Sequence, residues 1–243
     1  MEINFTKIEN KILHKFRGDV MTKEKSCLVT QNLIGACNWF LTAPESIIKP
    51  EKGGDGKTTW KEKARTDLNN IINRVKTPFA EPAKRGYIFE QIVYNQANKN
   101  TLSGSKHFQR VCQEVKGFEF YKKGSKNLII DGLNVYFYAK FDALKETDTG
   151  VYIKDIKTTG SYKTGKYLDG VQHEIYCYVK DAIKFDYVIA EWDKHPKIKT
   201  VHIEEYIPSD RVEEILIDKT RDCFSLLQDL GLWDSYRKVY CLY

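Results

Sequence analysis

Three charged residues stand close together in the apolar, strand-like segment "VYIKDIKTT": Lys154, Asp155 and Lys157. Charged side chains are rarely buried without a partner, so this cluster indicates either an exposed strand edge or a metal site. Because side chains alternate along a strand, Asp155 and Lys157 share one face, and Ile156 points to the opposite face and into the core. Lys154 is expected to be solvated.

A second carboxylate, Asp142 in "AKFDAL", is separated from this segment by the short turn "KETDTG". If the two strands pair through the turn, Asp142 lies beside Asp155 at the same end of the sheet. Adjacent carboxylates raise each other's pKa unless a cation neutralises them, and oxygen ligands suit Mg²⁺ or Mn²⁺. A nearby lysine can orient or deprotonate an attacking water, or stabilise charge on a phosphoryl oxygen. The pattern predicts metal-assisted hydrolysis.

Hydrophobic periodicity predicts the elements that position these residues. The expected order is a helix over 81–98, strands over 118–123, 127–144 (with a turn at Asp131 and Gly132) and 150–159, a helix over 169–183, strands over 185–192 and 199–207, and a helix over 210–230. In the first helix Ile88, Phe89, Ile92 and Val93 form the apolar stripe. This order predicts an α/β fold, a central mixed sheet flanked by helices. We expect a helical region over 1–80 to pack on a core over 81–243, which ends in the C-terminal helix, in one compact domain.

Composition excludes several classes of protein. The 243 residues are 42% hydrophobic and 30% charged, which is typical of an ordered chain, and a membrane-spanning run of ~18 apolar residues is absent. The six cysteines are scattered and the N-terminus lacks a secretory apolar stretch, so we expect reduced thiols and a cytoplasmic, intracellular protein without a membrane partner. The net charge of +6 is compatible with a polyanionic partner.

The Gly-rich loop "KPEKGGDGKTTWKEK" superficially suggests a phosphate-binding loop. That motif needs a glycine five positions before the Gly56, Lys57, Thr58 triplet, and position 51 is Glu. We therefore predict a solvated loop at this position.

Taken in order, four motifs resemble the PD-(D/E)XK nuclease superfamily, and within it the RecB-like and lambda-exonuclease-like branches. The helix motif "RGYIFE" places Glu90 four residues after Gly86. Asp142 is the strand carboxylate, and Asp155, Ile156 and Lys157 form the acid-x-Lys triplet. "QHEIY" carries Gln172 and Tyr176 on one helix face.

The resemblance implies a restriction-endonuclease-like core and a nuclease that hydrolyses phosphodiester bonds with Mg²⁺ or Mn²⁺. It implies metal ligation by Glu90, Asp142, Asp155 and the Ile156 carbonyl, with Lys157 catalytic. Nucleic-acid contacts would come from residues beside these motifs: Arg85, Lys163, Lys166, Gln172 and Tyr176. Gly86 would leave room for a metal or phosphate.

The same resemblance implies an exonuclease that acts on DNA ends in phage-like recombination or repair, with RNA not excluded as substrate. It also implies a homo-oligomer and a single-strand-annealing partner. Some relatives hold an iron-sulfur cluster on one N-terminal and three closely spaced C-terminal cysteines. Because only Cys223 and Cys241 occur near the C-terminus, we expect no cluster, and we expect Cys37 to be a buried thiol.

Several of these residues also have a purely structural explanation. Gln172 and Tyr176 at i and i+4 would also suit a helix that packs a tyrosine into the core, and Lys163 and Lys166 can be plain solvated lysines. His173 has no second histidine at metal-like spacing, so it is not expected to be a ligand. Two alternative functions stay open: a non-catalytic nucleic-acid-binding or protein-interaction module on this fold, and a restriction-type endonuclease.

Overall fold

The computed structural model describes residues 26–78, 80–99, 102–168 and 170–242. The helices in this part are α1 Gln31–Thr42, α2 Trp60–Ile72, α3 Glu81–Ala97, α4 Lys106–Glu114, α5 Gln172–Lys180, α6 Val212–Asp229 and α7 Trp233–Tyr240. The strands are β1 Ser26–Val29, β2 Glu119–Phe120, β3 Lys123–Ile130, β4 Leu133–Lys140, β5 Ala143–Thr147, β6 Gly150–Thr159, β7 Ala182–Trp192, β8 Ile198–Tyr206 and β9 Cys241–Leu242. None of the helices in the described ranges is long and apolar enough to span a bilayer.

Side-chain caps explain where several helices begin. Thr30 accepts a hydrogen bond from Leu33 N at the start of α1, and Ser105 accepts one from Phe108 N at the start of α4. Thr59 and Glu62 form a reciprocal capping box at α2. Each cap satisfies backbone donors that the first helical turn leaves without intrahelical acceptors.

The strands form two mixed sheets. The five-stranded sheet has the order β2-β5-β6-β7-β8, and the four-stranded sheet has the order β3-β4-β1-β9. In the larger sheet β5 pairs with β6 in an antiparallel hairpin, while β6 and β7 run parallel and are connected through α5. Two consecutive parallel strands need a long crossover connection, and the segment that contains α5 provides it.

Helices cover both faces of the larger sheet. Phe89 and Val93 of α3 pack with Val111 of α4 and with Ile156 and Val188 of the sheet on one face. On the opposite face, α5 packs against β7 and also against β3 and β4 of the smaller sheet. All α5 residues from His173 to Val179 are buried, which is typical of a helix enclosed on all sides.

The fold predicted from the sequence is confirmed: the core is a mixed sheet flanked by helices. The smaller sheet was not predicted. The segment 127–144 does turn at Asp131 and Gly132, both with positive φ. Its second strand is interrupted at Phe141 and Asp142. It leaves the smaller sheet as β4 and enters the larger one as β5. The described part of the predicted helical region contains α1, α2 and β1, and β1 pairs with β4; residues 1–25 lie outside the described residues.

The cysteines differ from the expectation of reduced thiols. Cys27 and Cys241 form a disulfide, which joins β1 to β9 across a sequence separation of 214 residues. Sequence spacing could not show this pair because pairing depends on the proximity of two distant strands. The other four cysteines are free and buried. Cys37, predicted to be a buried thiol, is one of them, and its Sγ lies 2.7 Å from Cys223 Sγ.

Two glycines test how tightly α5 packs on the smaller sheet. A Cβ built on Gly124 of β3 would lie 2.9 Å from Val179 Cγ1 and 3.3 Å from Phe141 Cε2, whereas a Cβ on Gly35 of α1 meets nothing within 4 Å. We expect Gly124→Ala to lose about 1–3 kcal/mol of unfolding free energy through overpacking. Gly35→Ala, the matched control, should gain up to about 1 kcal/mol from helix propensity. Urea denaturation measures both; equal shifts would contradict the tight contact.

Candidate active site

Asp142 lies at the junction between the two sheets, one residue before β5. The hairpin register pairs Ala143 with Lys154, which brings Asp142 alongside the middle of β6. Its Oδ2 accepts a hydrogen bond from the backbone N–H of Ile156 at 3.1 Å. The predicted placement of Asp142 beside the acid-x-Lys triplet is therefore confirmed.

Asp155 is buried on the α5 face of β6 and has two charged or polar partners. Its Oδ2 lies 2.6 Å from Lys157 Nζ, and its Oδ1 accepts a hydrogen bond from Gln172 Nε2. Gln172 Oε1 in turn accepts a hydrogen bond from Lys157 Nζ at 2.9 Å. Asp155 and Lys157 thus share one face as predicted, and one amide side chain fixes both charged groups.

Glu90 reaches this region from α3 and is held by Tyr94, a residue that the sequence analysis did not single out. The Tyr94 hydroxyl donates to Glu90 Oε1 at 2.9 Å. The spacing of four residues on a helix was a signal that could have found Tyr94. The contact limits the rotation of the Glu90 carboxylate.

The carboxylates influence one another electrostatically. Burial raises the pKa of Asp142 well above its usual range, and the carboxylates of Asp155 and Glu90 raise it further. Burial also raises the pKa of Glu90, and the hydrogen bond from Tyr94 lowers it by a smaller amount. Burial lowers the pKa of Lys157, but the negative charges of Asp155 and Asp142 outweigh burial and leave that pKa raised. Lys157 is therefore held as an ammonium among carboxylates.

The donor set fits a hard divalent cation at Asp142 and Asp155. Like charges this close favour a neutralising cation, and carboxylate and carbonyl oxygens are the ligands that Mg²⁺ and Mn²⁺ take. Within the ranges that the structure covers, no group of three or more His, Cys, Asp or Glu is arranged to hold a metal. Mg²⁺ is commonly bound by one or two carboxylates and keeps several waters. The two aspartates with the Ile156 carbonyl would suit Mg²⁺, and metal ligation by these residues and by Glu90 stays a prediction.

The predicted nucleic-acid contacts lie in different environments. Arg85 and Lys163 are exposed, and Lys166 donates to Thr159 Oγ1 and the Ser161 carbonyl. Tyr176 is 4% exposed and its hydroxyl donates to the Lys140 carbonyl at 2.8 Å. Tyr176 therefore positions α5 against the end of β4 and has no surface with which to contact a strand.

Two expectations about neighbouring residues need correction. Lys154 is not solvated: its side chain is 15% exposed and lies 2.9 Å from Glu114 and 3.3 Å from Asp186. It ties α4 to the face of β6 opposite Lys157. Gly86 leaves little free space, because a Cβ there would lie 3.0 Å from Thr158 Oγ1. Glycine at this position permits close approach of α3 to β6.

A loop that follows β6 is anchored by Glu204 of β8, which sequence reasoning missed. Glu204 Oε1 accepts hydrogen bonds from the Tyr162 hydroxyl and from Gly165 N, both at 2.7 Å. Tyr162 also stacks on His202, with ring centroids 3.9 Å apart. No local sequence pattern predicts the hydrogen bonds to Glu204, because they join residues about forty positions apart. The anchor holds the loop that carries Lys163 and Lys166.

The Gly56–Thr58 loop has its amides occupied from within. Asp55 Oδ1 accepts hydrogen bonds from Lys57 N at 2.8 Å and from Thr58 N at 2.7 Å. These are backbone donors of the kind that a phosphate-binding loop offers to its ligand. The prediction that this loop does not bind a nucleotide phosphate agrees with the arrangement.

The chain matches no protein-family model and no curated protein. In structure it resembles LHK-Exo in complex with dAMP, at 13% identity over 86% of this chain and 91% of that chain, with a TM-score of 0.47. It also resembles a phage-related exonuclease from Haemophilus somnus 129PT, at 11% identity over 84% and 92% of the two chains, with a TM-score of 0.44. Candida albicans Rai1 in complex with pU5-Mn²⁺ is similar at 13% identity, over 96% of this chain and 68% of that one, with a TM-score of 0.37.

The fold and the site together define an α/β protein with a buried acid-x-Lys triplet on the central strand of its larger sheet. The solved structures that it resembles include exonucleases. At these identities and TM-scores, the likeness assigns neither a substrate nor an activity to this chain.

His173 follows Gln172 on α5 and contacts Tyr187 and Glu174. It is 1% exposed, its Nδ1 lies 3.2 Å from the Tyr187 hydroxyl, and its Nε2 lies 3.6 Å from Glu174 Oε2. Burial lowers the pKa of His173 from 6.5 to about 4. This environment suits a neutral imidazole with a structural role, and His173 belongs to no metal-binding group in the described residues.

His173 predicts acid sensitivity. Because its pKa is lower in the folded state, the unfolded chain takes up a proton first, and stability falls as the pH drops from about 6.5 to about 4. We expect His173→Gln to remove on the order of 1–3 kcal/mol of the difference in unfolding free energy between pH 7 and pH 4.5. Urea titrations at both pH values measure it, with exposed His195→Gln as control. An unchanged pH dependence in His173→Gln would contradict the assignment.

Proposed function

We propose that this protein is a metal-dependent nuclease of the PD-(D/E)XK type, which hydrolyses phosphodiester bonds in nucleic acid. One observation carries the proposal: Gln172 binds both Asp155 and Lys157, and Asp142 is held beside them by the Ile156 amide. A purely structural ion pair would not need a second carboxylate at the same position. Clustered, mutually perturbed titratable groups are typical of functional sites.

Each residue has a role that follows from its contacts. Asp142 and Asp155 would hold the divalent ion together with the Ile156 carbonyl, and such an ion lowers the pKa of a bound water and polarises a phosphoryl oxygen. Lys157 stabilises the negative charge that develops on the phosphoryl oxygens and orients the attacking water. Gln172 fixes the positions of the Lys157 ammonium and the Asp155 carboxylate relative to each other. Glu90, oriented by Tyr94, adds a third carboxylate that faces the same site.

The net charge of +6 is compatible with a polyanionic substrate. We propose DNA as the substrate, with RNA not excluded, and backbone contacts from Arg85, Lys163 and Lys166 that do not depend on sequence. Glu204 holds the loop with the two lysines. We further propose that the enzyme degrades from strand ends, as in phage-like recombination or repair; an oligomer and an annealing partner stay predictions of the resemblance.

Metal dependence and the division of roles within the triplet are testable together. End-labelled single- and double-stranded DNA and RNA are incubated with Mg²⁺, Mn²⁺ or EDTA. EDTA should abolish cleavage, and both Asp155→Asn and Lys157→Ala should reduce it about 10²-fold or more. Exposed Lys238→Ala serves as control.

Calorimetry with Mn²⁺ separates the two variants without relying on activity. Asp155→Asn loses a ligand charge and should weaken Mn²⁺ binding about tenfold or more, whereas Lys157→Ala keeps both carboxylates and should not. Equal Mn²⁺ affinity in both variants would show that Asp155 is not a ligand. Full activity in EDTA would refute the proposed mechanism.

Dependence on a free end distinguishes the exonuclease from the endonuclease alternative. A linearised plasmid and its covalently closed circle are compared under identical Mg²⁺ and low-salt conditions, because phosphate contacts weaken as salt rises. We expect the linear form to be degraded progressively while the circle persists. Discrete fragments from the closed circle would indicate a restriction-type endonuclease. Binding of both forms without any cleavage would favour the non-catalytic module.

A further inference from the structure

A groove of about 900 Å³ lies on the face of α3 that points away from Glu90. Its walls come from α3, from the start of α4 and from the connection between β7 and β8. Cavities of this size hold drug-sized ligands. Arg85, Ile88 and Phe89 of the motif "RGYIFE" line the groove, but most of its lining residues lie outside the four motifs.

The floor of the groove is apolar and includes residues of the apolar stripe predicted for α3. Ile88 and Ile92 of that stripe are 47% and 46% exposed. Phe89 and Phe108, whose ring centroids lie 6.0 Å apart, line the groove beside them. Two large aliphatic side chains held half-exposed on one helix face indicate a surface that another molecule covers.

The floor continues into an aromatic stack at the β7–β8 connection. The rings of Trp192 and His195 are nearly parallel, at 10°, with centroids 4.2 Å apart. Trp192 is buried and His195 is exposed, so the imidazole presents its outer face. A flat ring supported from behind by a second ring is a suitable platform for stacking a base.

The rim of the groove is positively charged. Four lining residues are cationic and one is a carboxylate: Arg85, Lys106, Lys197 and Lys199 against Asp193. Asp193 lies 3.8 Å from Lys197 in an exposed pair, and Lys199 lies 3.3 Å from Glu191. The exposed Asp193–Lys197 pair is weak. Four cations against the carboxylates of Asp193 and Glu191 leave the rim with a net positive charge.

We propose that this groove binds a single-stranded segment of the nucleic-acid substrate. The inference rests on the proposed function, and it adds a surface that extends from the motif "RGYIFE" to α4 and the β7–β8 connection. An apolar and aromatic floor with cations along the rim matches exposed bases flanked by phosphates. A duplex would present phosphates but keep its base faces stacked inside. Helix α3 contributes Arg85 to the groove and Glu90 to the site.

Binding can be measured separately from chemistry in the full-length Lys157→Ala variant. Fluorescence anisotropy with a labelled oligothymidylate, in EDTA and low salt, gives the affinity for a single strand. We expect the further changes Lys106→Glu and His195→Ala each to weaken binding about fivefold or more, and Lys106→Glu to reduce the slope of log affinity against log salt by about one. Lys238→Glu on α7 is the charge-matched control. Because Lys238 does not line the groove, salt screens its effect and the affinity should change less than about twofold.

Photo-crosslinking locates the contact. An oligonucleotide that carries 5-iododeoxyuridine should crosslink to peptides containing His195 or Phe108, and Lys106→Glu should reduce the yield while Lys238→Glu does not. Thermal melting of each variant checks that the fold is retained. Unchanged single-strand affinity in both groove variants, or crosslinks confined to other surfaces, would overturn the inference. Tight binding of a duplex or an acidic peptide in the groove, with no binding of a single strand, would overturn it too.

The two proposals fail in different ways. If wild-type protein cleaves DNA with Mg²⁺ while the groove variants bind and cleave normally, the nuclease stands and the groove inference falls. If the groove variants lose single-strand binding but the wild type cleaves nothing, the groove inference stands and the nuclease falls.

Discussion

The structure depends on how one buried carboxylate is accommodated. Asp155 is 1% exposed on the central strand of a sheet, where an unpaired charge would be severely destabilising. Lys157 neutralises it and Gln172 binds both groups, so the strand, the following helix and their register are all required at once. A second carboxylate, Asp142, then adds like charge to the same place. Such a concentration of charge carries a cost in stability that is typical of a functional site rather than of a structural ion pair.

Helix α5 transmits this requirement to the rest of the molecule. It supplies Gln172 to the charged cluster, and its tyrosines bond to the smaller sheet: Tyr176 to the Lys140 carbonyl and Tyr178 to the Asn127 carbonyl. Because α5 is buried on all sides, each of its polar groups needs an internal partner. The smaller sheet provides acceptors and covers the helix face that the larger sheet leaves open. The position of Gln172 is therefore set by both sheets together.

The two faces of helix α3 lie in different environments, and so do the two faces of strand β6. On β6, Lys157 faces the active site, while Lys154 on the other face pairs with Glu114 and Asp186 and holds α4 in place. On α3, Phe89 and Val93 pack into the core, while Ile88 and Ile92 line the groove. Charge on a strand and hydrophobicity on a helix therefore do not by themselves distinguish a structural face from a functional one.

Sequence alone determined the features that depend on local periodicity and turn geometry. These include the helix over 81–97, the β5–β6 hairpin and the placement of Asp142 beside Asp155, because alternation and a short turn act over a few residues. Tertiary structure decided what depends on distant segments: the smaller sheet, the Cys27–Cys241 disulfide, the burial of Lys154, and the Glu204 anchor. It also decided which residues of the α3 stripe are covered. No pattern within one element encodes these contacts, since they form only when segments far apart in the chain pack together.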